Sequence, residues 1–174
     1  MTSPSPELLR HRSAIGADAL DECWDGDWCF RNPPMMWHCQ VAGDLRRALT
    51  PAVHQRGLTP PYSATGVFGG ADDWRIPTLV IGRPSQTTED GFVSAAFLVE
   101  IRSRGYDPDP KLGFYARLAV DEVLIVNEDR TFELRRLGAD GEYVVLEQPS
   151  TSEVLGITFE TVAGPKLRVG DAEV

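Results

Sequence analysis

Five consecutive small or apolar residues, Ala95-Ala96-Phe97-Leu98-Val99, run without alternation between polar neighbours. A strand with one wet face would alternate, so an unbroken run this short reads as a strand covered on both faces. Such a strand needs layers on either side of its sheet. The run ends on Glu100, which shares a strand face with Ala96 and Leu98 and so carries a carboxylate into a covered layer.

A second segment, Asp107 to Leu118, places a cation in similar surroundings. Asp107 or Asp109 suits a helix cap, and Pro110 suits a first helical position, where its missing N–H is not needed. At about 100° per residue, Leu112, Phe114, Tyr115, Leu118 and Ala119 share one face with Lys111 near its middle, while Gly113 and Arg117 lie opposite. The ammonium is therefore expected to point inward. Charges in apolar surroundings are costly, which makes Glu100 and Lys111 the first candidates for a functional site. The plainer readings are a satisfied buried acid and a lysine that snorkels past Tyr115 to water.

A chain of 174 residues, 42% hydrophobic and 25% charged, has material for one domain with a full core. Residues 1–20 read as a polar, proline-bearing lead-in with one helical turn around Glu7 to His11, and residues 21–174 as a single domain. No apolar run approaches the length a bilayer requires, and the N-terminus has no charged-then-apolar signal pattern, so a cytoplasmic protein without a membrane partner is expected. Cys23, Cys29 and Cys39 are odd in number and lack paired metal spacing, as expected of reduced thiols. His38 and Cys39 have no second ligand pair to complete a zinc tetrahedron. A net charge of −9 repels polyanions on average, so nucleic-acid binding would need a local basic patch, for which Arg102, Arg104 and Arg117 are the candidates.

Cys23-Trp24 and Trp28-Cys29 flank Asp25-Gly26, a dipeptide that supplies the positive φ angles of a tight hairpin. Helical spacing then runs from Met36 through Val41 and Leu45 to Leu49, and Pro51 is expected to stop it. His38 lies beside Trp37 and Val41 on that helix and reads as a packed or hydrogen-bonded residue. Strands are expected at residues 65–68 and 77–82 around a polar turn at 69–73, followed by a loop to Gly91. A meander over residues 122–127, 131–137 and 142–148 makes the sheet mixed. Residues 150–174 add one apolar stretch, 154–159, and a Gly164-Pro165 turn. Trp24, Trp28, Trp37 and Trp74 are either core or, if the hairpin is exposed, an apolar interface patch.

The order of these pieces resembles the Uma-two family of restriction-endonuclease-like proteins, a branch of the PD-(D/E)xK nuclease superfamily. The residues that carry the likeness are the Asp21–Gly26 hairpin, a helix bearing His38, and the strands Arg75–Val80 and Ala95–Ile101. They continue with Asp107 four residues before Lys111, Tyr115 four after it, the Ala119–Val126 segment, Arg136-Leu137 and Gly141-Glu142-Tyr143. The resemblance implies an α/β (α+β) restriction-endonuclease-like core, a mixed twisted sheet flanked by helices, with an N-terminal hairpin and a C-terminal strand meander. It implies magnesium- or manganese-dependent hydrolysis of DNA phosphodiester bonds, and a homodimer. Glu100, Lys111 and Glu22 match catalytic positions; Glu100 is an expected metal ligand, joined by Asp107, with Asp72, Asp73 and Asp90 as alternatives, in place of a family aspartate that this chain lacks. Hard carboxylate oxygens suit such an ion, which polarises a phosphoryl oxygen and acidifies a bound water.

The departures are specific. Pro77-Thr78 stands where the family has Pro-Asp, Ala95-Ala96 replaces a second Pro-Asp, and the loop from Glu100 to Lys111 is short. A neutral threonine is a poor substitute for a metal-binding carboxylate. Two function classes follow: a metal-dependent endonuclease, or a catalytically inactive nuclease-fold binding or assembly module in which Glu100 and Lys111 form a buried ion pair. A third class, an unrelated small-molecule enzyme, finds no glycine-rich phosphate loop, nucleophile elbow or ligand histidine pair.

Overall fold

The run ending at Glu100 forms β6 (Phe97–Ile101), and every one of its residues is buried. In this computed structural model, which describes residues 4–103, 105–163 and 166–174, β6 is the second strand of a five-stranded sheet. Its other members are β5 (Leu79–Ile81), β7 (Glu122–Val126), β8 (Phe132–Leu137) and β9 (Tyr143–Val145), in the order β5-β6-β7-β8-β9. β6 and β7 run parallel and the remaining pairs antiparallel, so the sheet is mixed.

Period-two alternation splits this sheet between two apolar layers. Phe97, Val99, Ile101, Leu124 and Leu134 pack with Val41, Leu45 and Leu49 of helix α2 (Met36–Gln55) and with Phe159, Leu167 and Val169. On the other face Leu98, Val80, Val123 and Ile125 pack with Val67, Phe92, Phe114 and Tyr115. Glu100 falls on this second face with Leu98.

Asp25 and Gly26 have φ values of 51° and 90°, and they join β1 (Glu22–Trp24) to β2 (Asp27–Cys29) as expected. A second small sheet, β2-β1-β4-β3, grows from that hairpin with β3 (Val67–Gly70) and β4 (Asp73–Arg75). β4 was not expected: the polar stretch before Trp74 is a hairpin turn, and the Arg75–Val80 stretch divides into β4 and β5 around Ile76-Pro77-Thr78. Tertiary contacts hold it, since the Trp74 indole donates to the Asp21 carbonyl at 3.0 Å and meets Trp28 edge-on at 5.3 Å. All four tryptophans are half-buried. Arg75 is buried with its guanidinium 4.4 Å from the Trp24 ring and 4.3 Å from the Phe114 ring, which fastens the small sheet to α3 (Leu112–Arg117).

Three further expectations are corrected. Pro51 does not stop α2, which continues to Gln55 because Ala52 and Val53 extend the buried stripe of Val41, Leu45 and Leu49. Pro51 itself is exposed, so the hydrogen bond it forfeits lies on the wet side. The lead-in holds a nine-residue helix, α1 (Pro6–Ala14), capped by Ser5 and tied down by Arg12 to Asp21 at 2.7 Å. Beyond residue 150 lies a four-stranded antiparallel sheet of β10 (Ser150–Thr151), β11 (Thr158–Val162), β12 (Lys166–Val169) and β13 (Ala172–Glu173). Its strands are two to five residues long and bury few side chains, alternately in β12, one each in β10 and β11 and none in β13, too brief a pattern to stand out in the sequence. Gly164 and Pro165 lie outside the described residues. No helix among the described residues is long and apolar enough to cross a membrane.

Candidate functional site

Glu22, Glu100 and Lys111 come from three separate elements and meet. Glu22 opens β1, Glu100 is the fourth residue of β6, and Lys111 closes a 3-10 turn (Asp109–Lys111) that leads into α3. The Asp107 carboxylate accepts from the Asp109 amide at 3.2 Å and so starts this turn, with Pro110 inside it. Tyr115 lies on the buried face of α3 together with Phe114, whereas Ala119 sits past the helix end, exposed, with φ 52°. Lys111 does not snorkel: each of the three charged side chains is 1% exposed.

The Lys111 ammonium lies 2.5 Å from Glu22 Oε1 and 3.1 Å from Glu100 Oε1, and also donates to the Ile76 carbonyl at 3.3 Å. The Ile76 amide donates to Glu22 Oε1 at 2.9 Å, so the β4–β5 link clamps both ends of this pair. Glu22 Oε2 accepts from Arg31 at 2.6 Å and from the Trp24 indole at 3.0 Å. Glu100 accepts from the Tyr115 hydroxyl at 2.6 Å on Oε1 and from the Tyr106 hydroxyl at 2.9 Å on Oε2. Every carboxylate oxygen therefore has a protein donor, as buried charge requires.

These surroundings shift the titrating groups. Burial alone would raise the Glu22 carboxyl, but the charges of Lys111 and Arg31 hold it below the usual carboxylate range. Burial and the Glu100 charge push the Tyr115 and Tyr106 hydroxyls well up, so both stay protonated as donors. Burial lowers His38, against an opposing pull from Glu100, which favours the neutral imidazole near pH 7.

The cluster lines a cavity of about 820 Å³. The N-terminal half of α2 lines its length with His38, Cys39, Ala42, Gly43 and Arg46, and Phe30, Pro33, Pro34, Met35 and Trp37 add an apolar wall. His38 is hydrogen-bonded, as expected, with Nε2 3.3 Å from the Thr78 hydroxyl, and it also lines this cavity.

Asp107 is not brought to the cluster. Its carboxylate accepts from Arg102 at 3.2 Å and does not line the cavity, because Arg102 gathers Asp107, Asp109 and Glu133 around itself. The basic strip is likewise neutralised: Arg102 faces those three acids, and Arg117 lies 3.0 Å from Asp73 and 3.9 Å from Asp25. Arg104 lies outside the described residues.

A divalent metal does not fit this donor set. Among the described residues, no three histidine, cysteine, aspartate or glutamate side chains gather as a metal-binding group. The two carboxylates are balanced by two cations, Lys111 and Arg31, and their oxygens are all engaged. Thr78, in the expected aspartate's place, contributes a neutral hydroxyl.

Arg31, Tyr106 and Arg46 are site residues that sequence reasoning missed. Arg31 precedes an Asn-Pro-Pro loop and Tyr106 sits in an aperiodic one, so no spacing signals their convergence on Glu22 and Glu100.

No family model matches the chain, and no curated protein matches it. Among solved structures it is similar to one described as a putative nuclease belonging to DUF820 from Anabaena variabilis. The two share 14% identity with a TM-score of 0.63, over 78% of this chain and 83% of that one. At that identity the likeness defines the fold: a mixed α+β, nuclease-like fold.

Proposed function

We propose that this protein is a catalytically inactive nuclease-fold module that binds nucleic-acid chemistry, with Lys111 as a resident cation between two carboxylates that a metal-dependent nuclease would leave free. The observation that carries this reading is the Lys111 ammonium at 2.5 and 3.1 Å from Glu22 and Glu100. Adding a doubly charged ion would place four positive charges against two negative ones, and would require Tyr106, Tyr115 or Lys111 to release its oxygen first. Magnesium surrenders its own water reluctantly, which makes that exchange harder still.

Thermal unfolding tests this reading. Millimolar magnesium or manganese is expected to leave the midpoint unchanged, because a ligand that bound the native state alone would raise it. Plasmid DNA is expected to stay intact at low salt, while a labelled oligonucleotide binds without metal. A metal-dependent rise that Glu100→Ala abolishes would overturn the proposal.

A second reading is favoured by one observation, the convergence of Glu22, Glu100 and Lys111 on an open cavity. It is a metal-dependent endonuclease that hydrolyses DNA with these three residues and holds magnesium or manganese through Glu100, since Arg102 keeps the Asp107 carboxylate away from the cluster. It requires both the metal-dependent stabilisation and nicking that Lys111→Ala abolishes.

A further inference from the structure

We infer that the cavity beside α2 accepts a single nucleotide unit, one phosphate ester carrying one aromatic base, and excludes a stretch of duplex. The inference rests on the binding-module reading and adds which ligand is bound and by which end.

Charge is the first ground. Three cations line the cavity, and two of them, Lys111 and Arg31, are committed to Glu22 and Glu100. The third, Arg46, is exposed and has no carboxylate partner among the described residues, in a chain where most arginines are paired. A protein that tracks a duplex engages roughly 6–10 phosphates with as many cations. Here one free guanidinium at the rim suits one phosphate.

Shape is the second ground. His38, Ala42 and Arg46 are spaced four residues apart on α2, so His38 and Arg46 are separated by about 12 Å along the helix axis. Ala42 and Gly43 between them leave the wall open, since a Cβ at Gly43 would meet nothing within 4 Å. The volume of about 820 Å³ lies in the range of small-ligand sites. Phe30, with the Arg12 guanidinium 4.6 Å from its ring centroid, and Trp37 add aromatic rings to the lining, and such rings stack on any base in single-strand binding sites. Neutral His38 and the Thr78 hydroxyl, 3.3 Å apart, supply polar atoms for a sugar or base edge. The acidic cluster does not repel an anion, because Lys111 and Arg31 cancel its charge.

The test uses the intact protein and three probes: a fluorescein-labelled thymidine oligonucleotide, the same sequence as a blunt duplex, and free thymidine monophosphate as competitor. The oligonucleotide is expected to bind with a salt slope near −0.7, the value for about one phosphate on a single strand. Arg46→Gln is expected to weaken binding about tenfold and flatten that slope. Gly43→Leu, which adds bulk to the cavity wall without changing charge, is expected to weaken it at least as much, with Arg46→Gln keeping the wild-type unfolding midpoint and Gly43→Leu melting at or above it, since leucine favours the helix over glycine. The duplex is expected to bind at least tenfold more weakly. Competition by the free monophosphate identifies a free nucleotide as the ligand source, and its failure while the oligonucleotide still binds identifies a strand end. Binding that both variants leave intact, or a duplex bound equally well with a slope of several units, would overturn the single-nucleotide site while leaving the binding module standing. No binding of any probe would overturn both.

Discussion

Lys111 Nζ lies 2.5 Å from Glu22 Oε1, joining a 3-10 turn in the second half of the chain to a hairpin near its start. Each is nearly inaccessible to water, so each depends on the other for charge balance. Replacing Lys111 by methionine keeps the stem's volume and removes the ammonium, leaving Glu22 with Arg31 and Glu100 with two tyrosines. Breaking a buried pair from one side typically costs about 3–5 kcal/mol. Lys111→Met is expected to lose that much in urea unfolding at pH 7. A loss under about 1 kcal/mol would show that the pair contributes little.

The acid side of the stability profile follows from Glu22. Its pKa in the folded protein is held below the unfolded value by Lys111 and Arg31 against the opposing effect of burial. A depressed carboxyl contributes stability that is present above the unfolded pKa, about 4.3, and is lost as pH falls through the folded value. The wild type is therefore expected to lose stability below about pH 5, and Glu22→Gln to show a shallower loss over the same window. Parallel urea titrations of the two proteins from pH 7 to pH 3 measure the difference, and identical slopes would remove Glu22 as its source.

Tyr106 and Tyr115 govern the alkaline side. Both hydroxyls are raised by burial and by the Glu100 charge, so the folded protein keeps them protonated where the unfolded chain begins to ionise, near pH 10. Their contribution is complete below the unfolded pKa and declines as pH rises above it. Tyr115→Phe removes a 2.6 Å donor from Glu100 Oε1, and Tyr106→Phe removes the 2.9 Å donor from Oε2. Each is expected to cost about 1–3 kcal/mol at pH 7 and to flatten the decline above pH 10. Tyrosine absorbance near 295 nm, followed during alkaline titration, checks the same shift without unfolding the protein.

The buried strand and the inward lysine were legible because each is written locally. An unbroken apolar run marks β6, and the 100° period around Lys111 marks the buried side of its turn and helix. The Asp25-Gly26 hairpin was equally plain. What brings Arg31 and Tyr106 to the carboxylates is tertiary, and nothing in their neighbours announces it. Asp107 was misplaced for a related reason: its spacing from Lys111 is suggestive, but Arg102, five residues before it, has the stronger electrostatic claim. The hydrogen bond of His38 agrees with its reading, but its place on a cavity wall is not legible, because a helical pattern reports the buried face and says nothing of a cavity along its border.

Pro51 is the place where the helix rule failed outright, and it yields a stability prediction. The ring removes the N–H that would bond to the Arg47 carbonyl and crowds the preceding turn, yet α2 carries on because Ala52 and Val53 are buried beyond it. A proline inside a helix is about 3 kcal/mol less favourable than alanine. Part of that is returned because proline also restricts the unfolded chain, by up to about 1 kcal/mol. Since Pro51 is exposed, Pro51→Ala removes no buried contact and restores the missing donor. It is expected to raise stability by about 2–3 kcal/mol, the balance of those opposing terms. Circular dichroism melts read this as a higher midpoint with unchanged helical content. A lower midpoint would mean that the ring packs against the domain, which its exposed position argues against.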